Sequence, residues 1–192
     1  ATGPAYWVEQ VDIQAEIVAA LAICAEDQAE NCVEALRQAA AREDATEKHV
    51  VTPGPLLPAR EILADILLEQ DRPEEALAEY GRARDLFAEV GAATDLARSI
   101  MTIGRLVARR GETAEAERLF RESIGILKPL EDRGTLCEVQ RSLAEVLLQQ
   151  GKIDAAEVYA LKAVETVGPQ DVSSQSTTRK TLALVRAAQG RD

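Results

Sequence analysis

Apolar residues recur at intervals of three and four along most of the chain, and this is the period of an amphipathic helix. Val8, Val11, Ala15, Val18 and Ala22 follow it near the start of the sequence. Glycines, prolines and short polar stretches interrupt the pattern and separate the helices. The pattern predicts nine helices, with approximate ranges 6–24, 29–42, 58–70, 73–90, 94–110, 113–127, 135–150, 154–167 and 173–189.

The chain also repeats itself about every 40 residues. Asp71, Gly111 and Gly151 stand 40 residues apart at the same turn, and Gly190 follows after 39. Glycine commonly ends a helix, and Thr113 is the expected N-cap of the next one, as is Asp154 one repeat later. Such a period predicts a repeat array, in which each helix pair buries its apolar face against its neighbours.

Small residues occupy equivalent places in these pairs, where two helix axes must approach to about 8–10 Å. On the first helices they are Ala20, Ala64, Gly104, Ala144 and Ala183, and on the second helices Cys32, Ala76, Ala116 and Ala156. Tyr80 and Phe120 are aromatic residues at the same position on the second helix of their pairs. The fourth pair has Ala160 at this position instead. This pattern resembles the tetratricopeptide repeat family, in the long-period form of bacterial signalling and regulator proteins.

The resemblance implies an all-α fold, a right-handed superhelical α-solenoid of four antiparallel helix pairs with a terminal unpaired helix. We expect one repeat domain over residues 1–192. Its units are 5–45, 56–90, 94–129, 134–168 and the terminal helix 173–189. Residues 5–81 and 83–192 resemble repeats of two different bacterial sources, so a fragment or a fusion of two repeat segments stays an open alternative.

Charge and cysteine content restrict the partners. The net charge of −11 argues against nucleic acid, and it divides unevenly, with −13 on residues 1–95 and +2 on residues 96–192. Three cysteines without CxxC spacing, Cys24, Cys32 and Cys137, argue against disulfides and zinc. We therefore expect a reduced, cytoplasmic protein. No apolar run reaches the length of about 20 residues that spans a bilayer, so no membrane partner is expected.

Chemistry-bearing motifs are absent from the sequence. It contains no phosphate-binding glycine loop, no GxSxG and no HExxH. The single histidine, His49, has no clustered ligands and is interpreted as a loop residue, and Cys137 is interpreted as a small buried residue. We therefore expect no catalytic residue, no metal site, no cofactor and no enzymatic activity.

A basic set on the first helices is the candidate binding site. Arg98, Arg105 and Arg109 share one side of a helix, with Met101 between them, and Arg141 and Lys180 follow one and two repeats later. If first helices line the concave face, these residues form a basic groove for an acidic peptide or a free carboxylate. The alternative is that Arg105 only forms ion pairs one repeat away, with Asp65 and Glu145.

An acidic set, Glu61, Asp65 and Glu69, is predicted on the same face of the preceding pair, so the groove would orient a dipolar peptide. The predicted function is a non-catalytic protein–protein interaction module that binds a peptide or protein segment in the concave groove. The alternative is a regulatory or self-association segment of a larger bacterial signalling protein. In that case Leu182 and Val185 of the terminal helix would be exposed or buried in a homodimer.

Overall fold

The computed structural model describes residues 4–26, 29–46 and 58–190, and these residues form helices without any strand. The helices are α1 (Pro4–Ala25), α2 (Ala29–Ala45), α3 (Ala59–Glu69), α4 (Pro73–Val90), α5 (Ala93–Arg109), α6 (Thr113–Leu127), α7 (Arg133–Gln149), α8 (Ile153–Thr166) and α9 (Val172–Ala188). The all-α prediction is confirmed, and the ends of the predicted helices differ from those observed by at most about three residues.

The chain divides into two compact units, residues 1–92 and residues 93–192. In the first unit α1 pairs with α2 and α3 pairs with α4, and α2 packs on α3. In the second unit α5 pairs with α6 and α7 with α8, and α9 packs on α8 and α7. Within each unit the helices therefore follow the predicted scheme of stacked pairs. That the whole chain forms one superhelical domain stays a prediction.

Small residues at the helix crossings are buried in every pair. Ala20, Cys32, Ala64, Ala76, Ala116, Ala144 and Ala156 are at most 1% exposed. Tyr80 and Phe120 are buried with them, at 3% and 1% exposure. The prediction is wrong for Ala183, which is exposed because α9 has no second helix among the described residues to cross it.

Helix α1 departs from the expected arrangement of its apolar residues. Its core side is formed by Ile13, Ile17 and Ala20. The recurrence that predicts the helix, which includes Val11 and Val18, lies instead on the solvent side. This helix is therefore apolar on two opposite sides, although only one of them packs on α2.

The turns between paired helices use left-handed backbone. Gly111 and Gly151 have φ of 84° and 74°, and Asp71 has φ of 58° at the equivalent turn. The N-cap predictions at Thr113 and Asp154 are wrong, because both residues lie inside the first turn of their helices. Side-chain caps occur instead before α7 and α9, where Asp132 accepts from the Thr135 N–H at 3.0 Å and Asp171 from the Ser174 N–H at 2.9 Å.

A disulfide joins Cys24 at the end of α1 to Cys32 in α2. The prediction of three reduced cysteines is therefore wrong, because the turn between these helices brings together two residues that carry no sequence motif. The cytoplasmic prediction loses the argument on which it rested and stays untested. Cys137 is buried as predicted, and burial raises the pKa of its thiol.

Candidate functional site

Two adjoining clefts lie in the second unit. The larger is lined mainly by α5 and α7, and the smaller mainly by α7 and α9, together with Arg105 of α5. The larger has a volume of about 370 Å³ and the smaller about 260 Å³. Arg105 and Arg141 line both clefts, which together we call the trough. The larger cleft is lined by Arg105, Ala108, Arg109, Phe120, Arg141, Ser142, Glu145, Val146 and Gln149. The smaller is lined by Arg105, Cys137, Glu138, Arg141, Ser173, Ser174, Thr177 and Thr178.

Arg105 reaches across from α5 to α7. Its Nη2 donates to Glu138 Oε2 at 3.1 Å, and its Nε donates to Ser142 Oγ at 3.2 Å. The predicted neighbour Glu145 is therefore not its partner. The actual partners follow Arg105 by 33 and 37 residues rather than by the 40 of the repeat, because long side chains on a helix lean toward its N-terminus.

Arg141 belongs to a chain of polar contacts that connects α7 to α9. Its Nη1 donates to Glu145 Oε1 at 2.6 Å, and the Thr181 hydroxyl donates to the same oxygen at 2.9 Å. The Arg141 side chain is 21% exposed, so this guanidinium is partly withdrawn from solvent. Glu145 therefore holds Arg141 at the junction of the two clefts, and Thr181 of α9 in turn binds Glu145.

Arg109 differs from these two arginines. It lies at the last residue of α5, is exposed, and lines the larger cleft. It forms no ion pair with any residue that the structure describes. A guanidinium offers five N–H donors in a planar fork that matches a carboxylate. Arg109 is therefore the lining cation whose donors are available to an incoming acidic group.

The remaining basic candidates lie elsewhere. Arg98 pairs with Asp95 of its own helix at 3.1 Å and lines neither cleft. Lys180 is exposed on α9 and also lines neither cleft. Met101 is only 4% exposed, so its placement in the groove is wrong and its side chain belongs to the core.

The acidic candidates lie on α3 in the first unit. Asp65 and Glu69 are exposed and Glu61 is half-buried. Asp65 accepts a hydrogen bond from the Tyr80 hydroxyl, and burial together with this carboxylate raises the pKa of Tyr80. Asp65 is thereby engaged within its own helix pair. A groove that continues from this acidic set to the basic set stays a prediction.

Hydroxyl groups of α9 are among the lining residues that the sequence did not predict. Ser173, Ser174, Thr177 and Thr178 follow one another at the spacing of a single helix face and line the smaller cleft. A stripe of serine and threonine along one face of α9 could have indicated a binding surface from the sequence. It places hydrogen-bond donors and acceptors where apolar residues would otherwise stand.

Other kinds of site can be assessed over the same residues. Among the described residues no three His, Cys, Asp or Glu side chains are grouped to hold a metal ion. None of the helices within residues 4–26, 29–46 and 58–190 is long and apolar enough to cross a bilayer. His49 lies outside the described residues.

Residues 57–128 match the family model described as Tetratricopeptide repeat. This part of the chain is therefore similar to tetratricopeptide repeats, the family that the sequence pattern resembles. Arrays of this kind present extended binding surfaces. A sequence search of curated proteins gives no significant match.

Solved structures share the fold at low sequence identity. The apo form of RapI aligns with a TM-score of 0.79 and 16% identity, covering 94% of this chain and 49% of RapI. A putative kinesin light chain with TPR-like repeats from Podosopora anserina aligns with a TM-score of 0.69 and 16% identity, covering 94% and 88%. The Rap conjugation gene regulator of plasmid pLS20, solved with the Phr* peptide, aligns with a TM-score of 0.66 and 14% identity, covering 94% and 49%. This chain spans about half the length of the Rap proteins.

Proposed function

We propose that this protein is a non-catalytic interaction module that binds a peptide or protein segment in the trough of the second unit. The observation that supports this proposal most is the pair of adjoining clefts along α5, α7 and α9. Arg105 and Arg141 line both of them. An extended segment laid across the three helices would meet hydroxyls at one end and Arg109 at the other. A side-chain or terminal carboxylate of the segment would be bound by Arg109.

Two further observations support this proposal. Arg109 lines the larger cleft and forms no ion pair within the described part of the chain, whereas Arg105 and Arg141 are already paired with Glu138 and Glu145. The pLS20 Rap regulator, which shares the fold, was solved with a peptide bound. Peptide binding of the same general kind, with selectivity from the order of charges, is therefore the function we expect here.

The test is selection of peptides from a random display library on the full chain. We expect the selected peptides to be rich in Asp and Glu and to bind more weakly as salt increases. Substitution Arg109→Glu should weaken their binding at least about tenfold, which corresponds to about 1.4 kcal/mol.

Lys128→Glu is the matched control. Lys128 is exposed at the end of α6, lines neither cleft and forms no ion pair within the described part of the chain. Lys128→Glu changes the net charge by the same amount as Arg109→Glu, so it controls for the effect of net charge on binding. Peptides that bind wild type and Arg109→Glu equally well would refute the assignment of the trough.

A second candidate function is self-association through α9. It is favoured by Leu184, which is 52% exposed on that helix. The two residues predicted for this role are less exposed, since Val185 is fully buried and Leu182 is half-buried. Light scattering of the full chain separates the two candidates, because a dimer that dissociates on Leu184→Gln would favour self-association.

A further inference from the structure

The solvent side of α1 carries a continuous apolar stripe. Four of the eight large apolar side chains exposed in the described residues are on this one helix: Trp7 at 48%, Val8 at 59%, Val11 at 65% and Val18 at 57%. Ala15, Ala22 and Ala25 are exposed along the same line. A surface helix normally presents polar residues to solvent, so this side of α1 is built to be covered.

The spacing of the stripe indicates what kind of surface covers it. Its positions alternate by three and four residues over the length of the helix, as the a and d positions of a heptad repeat do. We call these residues the α1 seam, and they are Val8, Val11, Ala15, Val18, Ala22 and Ala25. A regular seam with valine and alanine knobs fits the side chains of one facing helix.

The charges beside the α1 seam select the helix that fits. Asp12 borders the seam, and Glu9 and Glu16 lie further round the same side of the helix, toward α2. Among the described residues, Arg42 of α2 is the one cation that pairs with them. Arg42 Nε approaches Glu9 Oε1 at 2.7 Å and its Nη2 lies 3.8 Å from Asp12 Oδ2, while Nη1 bonds Glu16. Three carboxylates thus share a single guanidinium, and the flank keeps an excess of negative charge.

From these observations we infer that the α1 seam is the docking surface for an amphipathic helix of another protein whose apolar stripe is flanked by lysine or arginine. A second copy of this chain fits less well, because it would bring two acidic halves of net charge −13 together. A bilayer surface, which commonly carries anionic lipids, meets the same repulsion. This site is separate from the trough and does not depend on it.

The test uses synthetic helical peptides of about three heptads, with leucine at a and d. One version carries lysine and the other glutamate at the flanking positions. The lysine peptide should bind the full chain at least about tenfold more tightly than the glutamate peptide, with the difference shrinking in high salt. Val11→Gln together with Val18→Gln should reduce its binding at least about tenfold, because both side chains face the bound helix.

Val158→Gln together with Leu161→Gln is the matched control, since both residues are exposed apolar side chains on α8, at 48% and 37%. This control and Arg109→Glu should leave lysine-peptide binding unchanged, which separates the inference from the function proposed for the trough. Failure of the lysine peptide to bind, or equal binding of both peptides, would overturn the inference. So would a dimer seen by light scattering, or flotation with phosphatidylserine vesicles, that is lost in the Val11→Gln and Val18→Gln variant.

Discussion

Gly104 of α5 lies directly against the ring of Phe120 of α6. A Cβ added to Gly104 would stand 2.8 Å from Phe120 Cε1, closer than packed carbon atoms approach. Phe120 is 1% exposed, so its ring is part of the core between the two helices. The absence of a side chain at Gly104 therefore leaves space for the Phe120 ring. In the next pair, α7 and α8, the equivalent positions are occupied by Ala144 and Ala160, which are both buried.

Gly104→Ala should destabilise the protein by about 1–3 kcal/mol, because overpacking outweighs the gain in helix propensity. In a Phe120→Leu background the same substitution should be neutral or stabilising. Urea unfolding of the four proteins measures the coupling between the two sites. Gly125→Ala in α6, where a Cβ meets nothing within 4 Å, is the control and should stabilise by up to about 1 kcal/mol. Equal effects of Gly104→Ala in both backgrounds would contradict the close packing.

Asp71→Gly should stabilise the turn between α3 and α4 by up to about 1 kcal/mol. Asp71 has φ of 58°, which costs an L-residue free energy that glycine does not pay. The reciprocal change Gly151→Asp, at φ of 74° with open space around it, should cost about as much. Thermal unfolding followed by circular dichroism measures both. A loss of stability in Asp71→Gly would show that the aspartate side chain contributes more than its backbone strain costs.

Arg60→Met should destabilise the first unit by about 3 kcal/mol. The Arg60 guanidinium lies between Glu79, at 2.5 Å, and Asp44, and all three side chains are largely buried. Removing it leaves two carboxylates without this partner in a site that water hardly reaches. Arg84→Met on α4 is the control. Over the residues that the structure describes, Arg84 pairs only with its exposed neighbour Asp85, so this change should cost at most about 0.5 kcal/mol. Similar losses in the two variants, measured by chemical denaturation, would contradict the role of Arg60.

Stability should fall with acid through Glu117. The Lys152 ammonium, which bonds Glu117 Oε2 at 2.8 Å, and then Arg121 lower the pKa of this carboxyl below its usual value. A carboxyl with a lowered pKa in the folded state adds stability above its unfolded pKa, near 4.3. That contribution is lost as the pH falls through the folded value.

Lys152→Met should therefore reduce stability by up to about 1 kcal/mol at pH 7 and by less near pH 3. Denaturation midpoints measured across this range provide the test. A difference between wild type and Lys152→Met that does not vary with pH would mean that the lysine acts through packing alone.

Reduction of the Cys24–Cys32 disulfide should destabilise the protein by about 2 kcal/mol, because the bond closes a short loop in the unfolded chain. The thermal midpoint of wild type should fall on addition of dithiothreitol, whereas that of Cys24→Ser should not respond. An unchanged midpoint of wild type would show that the two cysteines are not joined in solution.

Much of the fold followed from sequence because its information is local. The period of 40 and the small residues at each crossing recur wherever two helices must approach, and they identify pairs without knowledge of distant contacts. The left-handed turns at Gly111 and Gly151 were predictable for the same reason, since the backbone conformation depends on one residue.

Only the tertiary structure decided which side of α1 is buried and which partners each arginine has. A helix that is apolar on two sides has no unique inner face in its sequence, and packing on α2 selects Ile13 and Ile17. Likewise, Arg105 bonds Glu138 rather than Glu145 because side-chain lean and helix crossing, not repeat spacing, place its partners. The Cys24–Cys32 disulfide depends in the same way on a distance between helices, which the sequence pattern does not contain. The same holds for Arg109, which forms no ion pair with the residues that the structure describes.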